Sequence, residues 1–163
     1  MDKLIKTESI NKTLSANVLI LVEEIFTGGT SLIKILKDNQ GNLYINKQLK
    51  DEKVYYDKII GVLVDYNKNF NNEINALNKL GKYYHFPSLI NYNKNVNYEI
   101  LMTYCGVTPD IDFLLDNWKE QLLNIYHILE FESIYHNDLG TKKNLCFLDD
   151  KINIIDFGES TSN

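Results

Sequence analysis

The stretch from Ile134 to Ser160 constrains this chain most. Two short apolar runs, Leu145–Leu148 and Ile152–Ile155, flank an Asp149-Asp150 turn and predict a β-hairpin. Asn144 precedes the first run and Asp156 follows the second, so the hairpin returns both to one end. Asp138 lies in the polar loop ahead of it, just after a helix. Three oxygen-bearing side chains then converge. Such a set suits Mg²⁺, a hard ion that takes oxygen ligands and keeps waters for phosphate partners. Asp138 is left to orient or deprotonate an attacking hydroxyl.

The rest of the chain predicts an α+β protein. Val18–Phe26, Leu32–Lys37 and Asn42–Leu49 read as three meandering strands, the last two joined by an Asp38–Gly41 turn. Residues 51–69 are ambiguous: Val54, Tyr55, Ile59, Leu63 and Val64 have roughly helical spacing, which Gly61 interrupts. Asn71 or Asn72 is placed to cap a helix running to Leu80, with Gly81 at its stop. A loop over His85–Asn91 leads to a fourth strand, Tyr98–Thr103. Leu115, Trp118, Leu122, Tyr126 and Leu129 recur at steps of three and four, predicting a helix over Asp112–Phe131. Residues 1–17 read as a polar extension with a short helix at most.

Composition narrows the function classes. With 163 residues, 44% hydrophobic and 24% charged, the chain can bury a core without disulfides or a structural metal, as one domain or two small lobes. All 17 basic residues are Lys, so no guanidinium clamp exists and phosphate must be held by Lys, backbone N–H groups or metal. The 21 Asn residues, with Lys, Ile and Tyr, reflect an AT-rich coding bias of the kind found in large DNA viruses and some protists. The net charge is −5 and the Lys are interleaved with acids, which argues against a nucleic-acid partner. Cys105 and Cys146 form no C-x-x-C pair and read as small apolar residues of a reducing compartment. The N-terminus lacks the apolar core of a signal peptide, and no apolar run approaches the ~20 residues that cross a bilayer. The expectation is a cytoplasmic protein with no membrane partner.

Three upstream features bear on the same chemistry. Alternation puts Leu43, Ile45, Lys47 and Leu49 on one strand face, where an unpaired Lys is costly. Lys47 is either paired or a snorkelling edge residue; Lys50 falls on the other face. Glu73 shares a helical stripe with Leu77 and Leu80, so it points inward, unless it is simply a first-turn Glu that suits the helix dipole. Phe26-Thr27-Gly28-Gly29-Thr30-Ser31 breaks the first two strands. It is a plain turn or a loop whose glycines let backbone N–H groups approach phosphate.

Taken together, these segments resemble the protein-kinase-like superfamily. His136-Asn137-Asp138 looks like the catalytic-loop H-x-D and Asp156-Phe157-Gly158 looks like D-F-G. Tyr44-Ile45-Asn46-Lys47 looks like the V-A-I-K strand, and Glu73 like the Glu that pairs with its Lys. The glycine turn is closer to the G-G-x-[ST] turn of choline kinases and aminoglycoside phosphotransferases. Glu99–Gly106 looks like the adenine-binding strand and hinge.

The resemblance implies a two-lobed fold. An antiparallel N-lobe sheet over 18–103 would be followed by a much reduced helical C-lobe over 104–163. It implies ATP and Mg²⁺ as cofactors. Asp138, Lys47 and Glu73 would be catalytic, and Asn144 and Asp156 would hold metal. Gly28, Gly29, Thr30, Ser31 and Lys47 would meet the phosphates. Met102 would be the gatekeeper, the backbone of Thr103 and Cys105 would bond the base, and Ile33 or Ile35, Ile45 and Leu145 would wall it. The phosphoacceptor would be a protein Ser/Thr or a small molecule.

The sequence departs from the pattern in places. Asn144 follows Asp138 by six residues rather than five, so Lys143 falls at the usual metal position. Asn137 replaces the Arg of H-R-D, which implies no control by a phosphorylated activation loop. Only Glu159–Asn163 follow D-F-G, with no activation segment or peptide-binding helices. Lys142 and Lys143 are either phosphoryl-charge neutralisers or a solvated pair. The alternatives to an enzyme are a nucleotide-binding pseudokinase serving as an interaction module, and a subunit of an assembly whose partner covers the Trp118 helix.

Overall fold

Alternating β-branched and apolar residues at the start of the described chain build a five-stranded antiparallel sheet. The computed structural model describes residues 18–27, 31–49, 54–57, 62–94, 98–109, 115–140 and 142–163. The expected extension 1–17, Gly28, Gly29, Thr30 and Lys50 lie outside them. In chain order the elements are β1 (Ile20–Thr27), β2 (Ser31–Lys37), β3 (Leu43–Leu49), β4 (Val54–Asp57), β5 (Val62–Asp65) and α1 (Tyr66–Leu80). Then follow β6 (Leu89–Asn93), β7 (Glu99–Thr103), α2 (Trp118–Phe131), β8 (Ile134–Tyr135), β9 (Leu145–Leu148), β10 (Lys151–Ile154) and β11 (Thr161–Ser162).

The α+β expectation holds, and the chain divides into two compact units. One comprises the described parts of residues 7–71 and 89–104 and holds the sheet, ordered β1-β2-β3-β7-β6. The other comprises 72–88 and the described parts of 105–163. The boundary falls inside α1, between Asn71 and Asn72.

In the first unit the β2–β3 turn forms as predicted. The Asp38 carboxylate accepts from the Gln40 and Asn42 N–H groups, both at 2.9 Å, and from the Tyr44 hydroxyl at 3.0 Å. Gly41 takes φ +92°, a left-handed conformation that favours glycine. The Asn42 side-chain amide, at 2.9 Å, leads the hydrogen bonds that hold the Asp38 carboxyl below the ordinary carboxylate range.

Three readings are resolved or corrected. The ambiguous stretch 51–69 holds β4 and β5, which pair antiparallel with Tyr55 opposite Val64, and the first turn of α1. α1 begins at Tyr66, not at Asn71 or Asn72, because the Asp65 carboxylate accepts the Lys68 N–H at 3.0 Å and caps the helix earlier. Glu73 therefore sits mid-helix and is not a first-turn Glu. Third, the loop over His85–Asn91 gives way to β6 at Leu89, an edge strand held on β7 by backbone pairing.

In the second unit the core gathers Ala76 and Leu80 of α1, Tyr83, Phe86, Ile125, Ile128 and Leu129 of α2, Ile152 and Ile154 of β10, and Phe157. α2 starts at Trp118 rather than Asp112; residues 110–114 lie outside the described ones. Leu115 is buried ahead of it, and its carbonyl accepts the Trp118 N–H at 3.1 Å. That turn keeps Leu115 on the apolar stripe and makes the helix look longer in sequence. The Tyr83 hydroxyl donates to Glu132, and Lys82 pairs with the same carboxylate at 2.9 Å, linking the ends of α1 and α2.

His85 is buried against β10, and its Nδ1–H donates to the Ile152 carbonyl at 2.7 Å. Burial pushes its pKa below the usual 6.5, against that hydrogen bond and with help from the Lys151 charge. The unfolded chain therefore takes up the proton first. His85 contributes full stability above about pH 6.5, and the contribution is lost as pH falls towards the lowered folded value. The urea midpoint should drop between pH 7.5 and 5.5. The drop should be smaller in His85→Gln, which has nothing there to titrate.

Candidate functional site

The catalytic-loop candidate grows out of α2. Glu132 and Ser133 (φ +54°) turn the chain into β8, and His136 follows, buried. The His136 Nε2–H donates to the Ile155 carbonyl at 2.9 Å, and Nδ1 accepts the Asp138 N–H at 3.3 Å. Those two bonds select the Nε2–H tautomer. The ring lies 4.6 Å from Phe157, which is fully buried and 6.1 Å from Phe86. One imidazole thus joins the loop bearing Asp138 to the residues on either side of Asp156.

The hairpin does what its apolar runs predict. β9 and β10 pair antiparallel, with Leu145 opposite Ile154, and the Ile155 N–H donates to the Asn144 carbonyl at 3.0 Å. Asn144 and Asp156 therefore sit at the same end. A 3₁₀ turn spans Lys142–Asn144. It leaves Lys142 and Lys143 exposed and buries Asn144.

The Asn144 side-chain amide donates twice to Asp138, to its carbonyl at 2.7 Å and its carboxylate at 2.8 Å. With both amide hydrogens turned that way, Oδ1 is the Asn144 atom that can face a cation. Asp156 is exposed at φ +62°, a left-handed conformation in which Asp and Asn are enriched among non-glycine residues. A carboxamide oxygen and carboxylates fit a hard oxygen-seeking ion. Among the described residues, no three His, Cys, Asp or Glu side chains gather as a metal site.

Two further predicted residues lie in this unit. Glu73 is 2% exposed on the α1 face with Ala76, Leu77 and Leu80. Cys105 is buried, and its carbonyl accepts from the Asn153 side-chain amide at 3.0 Å. Asn153, fully buried on β10, anchors the Cys105 backbone, and the sequence reading missed it. An Asn inside an apolar strand was the available signal. The Cys146 thiol is pushed up to about 11 by burial, in keeping with its reading as a small apolar residue.

The first unit holds the other described candidates. Lys47 is 7% exposed and lies opposite Ile33 on β2 and Ile100 on β7. Ile45 lies opposite Ile35 and Met102. Residues directly opposite share a face, so Lys47, Ile33, Ile35, Ile45 and Met102 line one side of the sheet. A snorkelling edge Lys does not fit, because β3 is the central strand and Lys47 is buried. Ser31 opens β2, buried, and Thr103 closes β7. No family model and no curated protein matches this chain.

Proposed function

We propose that this chain is an ATP- and Mg²⁺-dependent phosphotransferase of the protein-kinase-like, two-lobed type. It would move the γ-phosphoryl group to a hydroxyl, on a protein Ser/Thr first and a small molecule second. The observation that carries the reading is the double hydrogen bond from Asn144 to Asp138, beside Asp156 at the same hairpin end. A solvated acid in a chance loop has no need of that arrangement.

On this reading Asp138 accepts the proton of the attacking hydroxyl, with its carboxylate held in place by Asn144. Asn144 Oδ1 and Asp156 are the metal-facing oxygens. Mg²⁺, when bound, neutralises charge on the β- and γ-phosphates. Lys47 is the residue that positions the α- and β-phosphates, and Glu73 is the buried acid to which the resemblance gives a part in the same task. Met102 and the Thr103 backbone receive the adenine, and Ile33 or Ile35, with Ile45, excludes water from it. Ser31 and the glycine turn before it cover the phosphates.

The test is ATP turnover with Mg²⁺, read as hydrolysis or autophosphorylation, beside Lys47→Met. Turnover that Lys47→Met abolishes is the expected result. Nucleotide-dependent thermal stabilisation with no turnover would replace the enzyme with a pseudokinase. Neither response would remove the nucleotide site altogether.

A second reading, a subunit of an assembly, draws on α2. Leu123, Tyr126 and Phe131 are 51%, 56% and 63% exposed on that helix. Exposed apolar side chains grouped this way mark interaction surfaces. If α2 is such a surface, sedimentation velocity should show concentration-dependent association that Leu123→Lys with Tyr126→Lys reverses.

A further inference from the structure

Three asparagine side chains tie down the segment that follows Asp156-Phe157. Asn72 on α1 donates to the Gly158 carbonyl at 3.0 Å. Asn75, one turn further on, donates to the Ser162 hydroxyl at 3.0 Å. Asn137, next to Asp138, donates to the Glu159 carbonyl at 2.9 Å and the Thr161 hydroxyl at 3.3 Å. The backbone adds to the strap: β11 pairs with β8, and the Ser160 N–H donates to the Phe157 carbonyl at 3.0 Å.

We infer that Asn72, Asn75 and Asn137 are positioning residues, whose neutral amides hold segment 158–162 in place and so set the Asp156 carboxylate for its metal. The inference rests on the phosphotransferase reading above. Asp156 and Asn137 both occupy left-handed backbone, at φ +62° and +65°. Asn and Asp both tolerate that region, so the backbone on either side is permitted rather than forced, and the strap selects it. It acts from the far side of Phe157, on the loop that carries Asp138 and on the helix that carries Glu73.

The choice of group matters. A segment ordered by phosphorylation needs cationic side chains, most effectively Arg, to receive the phosphate. This chain has no Arg. Carboxamides on backbone carbonyls and hydroxyls need no modifying enzyme, so the strap is permanently engaged.

The experiment measures the dissociation constant for ATP with Mg²⁺ and in EDTA, for the wild type, Asn137→Gly and Asn72→Ala. Asn137→Gly keeps the left-handed backbone and removes only the amide. Residues that orient metal ligands typically change metal affinity by ten- to a hundredfold. The Mg²⁺-dependent gain in affinity should therefore fall about tenfold in each variant, while metal-free ATP binding changes less than about twofold.

An unchanged gain would overturn the inference and leave the phosphotransferase reading intact. Parallel weakening with and without Mg²⁺ would also overturn it, by showing a purely structural strap. A wild type with no Mg²⁺-dependent gain would overturn both. Should either variant fail to fold, Asn75→Ala, at an exposed helix position, carries the same test with an expected loss of about threefold.

Discussion

Asp138→Asn should lower the turnover number by about 10²–10⁴-fold and leave the KM for ATP within about threefold, because a positioned general base contributes on that scale. A thousandfold loss corresponds to about 4 kcal/mol of transition-state stabilisation. The substitution is a clean probe because the loop need not move. Asn144 makes one of its two bonds to the backbone carbonyl of residue 138, at 2.7 Å, which the change does not touch. Its other bond, at 2.8 Å to the carboxylate, can be accepted by the carboxamide oxygen of an Asn. The His136 contact is to the backbone N–H of residue 138 and also survives. What disappears is the carboxylate proposed as the proton acceptor. Unchanged turnover would remove Asp138 from the chemistry; a parallel collapse of thermal stability would mean the change had broken the loop instead.

Gly106→Ala should destabilise the fold by about 2–6 kcal/mol, the sum of left-handed strain at a non-glycine residue, about 1–3 kcal/mol, and overpacking of similar size. Gly106 has φ +95°, and a Cβ there would lie 1.9 Å from the Phe147 carbonyl oxygen and 2.8 Å from the Leu148 nitrogen. These are backbone atoms of β9 and cannot rotate away. The close approach is fixed by the paired bonds between Val107 and Phe147, at 3.1 and 2.8 Å. Relief requires pushing β9 outward, and β9 begins one residue after Asn144. A melting temperature lower by about 5–15 °C is expected at this chain length. Gly140→Ala is the matched control: nothing lies within 4 Å of its Cβ position, and a change within about 0.5 kcal/mol is expected. Equal melting temperatures for the two variants would mean that the Gly106–Phe147 approach is looser than described.

What the sequence shows of this molecule follows from what is local. The β9–β10 hairpin was legible because two apolar runs and an Asp-Asp turn lie together between Leu145 and Ile155. The face of Lys47 was legible because strand alternation has a period of two. Glu73 was legible from its stripe with Leu77 and Leu80.

The start of α1 was not legible. Before Glu73 its described side chains are mostly Asn and Lys, with Phe70 alone buried, so no apolar rhythm announces the first two turns. β6 was hidden for a similar reason: Asn91 and Asn93 have poor strand propensity, and an edge strand needs only a backbone ladder. At the site, counting residues against the resemblance left Asn144 one position late. The 3₁₀ turn changes the advance per residue, exposing Lys143 and burying Asn144 against Asp138. The strap could not be seen at all. Asn72 and Gly158 are 86 residues apart, and a side-chain amide that meets a distant carbonyl leaves no periodic trace.

The central claim is that Asp138, Asn144 and Asp156 serve one metal-bound triphosphate. A crystal structure with a non-hydrolysable ATP analogue and Mn²⁺ in place of Mg²⁺ tests it most directly. The account predicts an anomalous peak between Asn144 Oδ1 and the Asp156 carboxylate, with the γ-phosphate of the nucleotide beside Asp138. A γ-phosphate away from Asp138, or Mn²⁺ bound without Asp156, would contradict it.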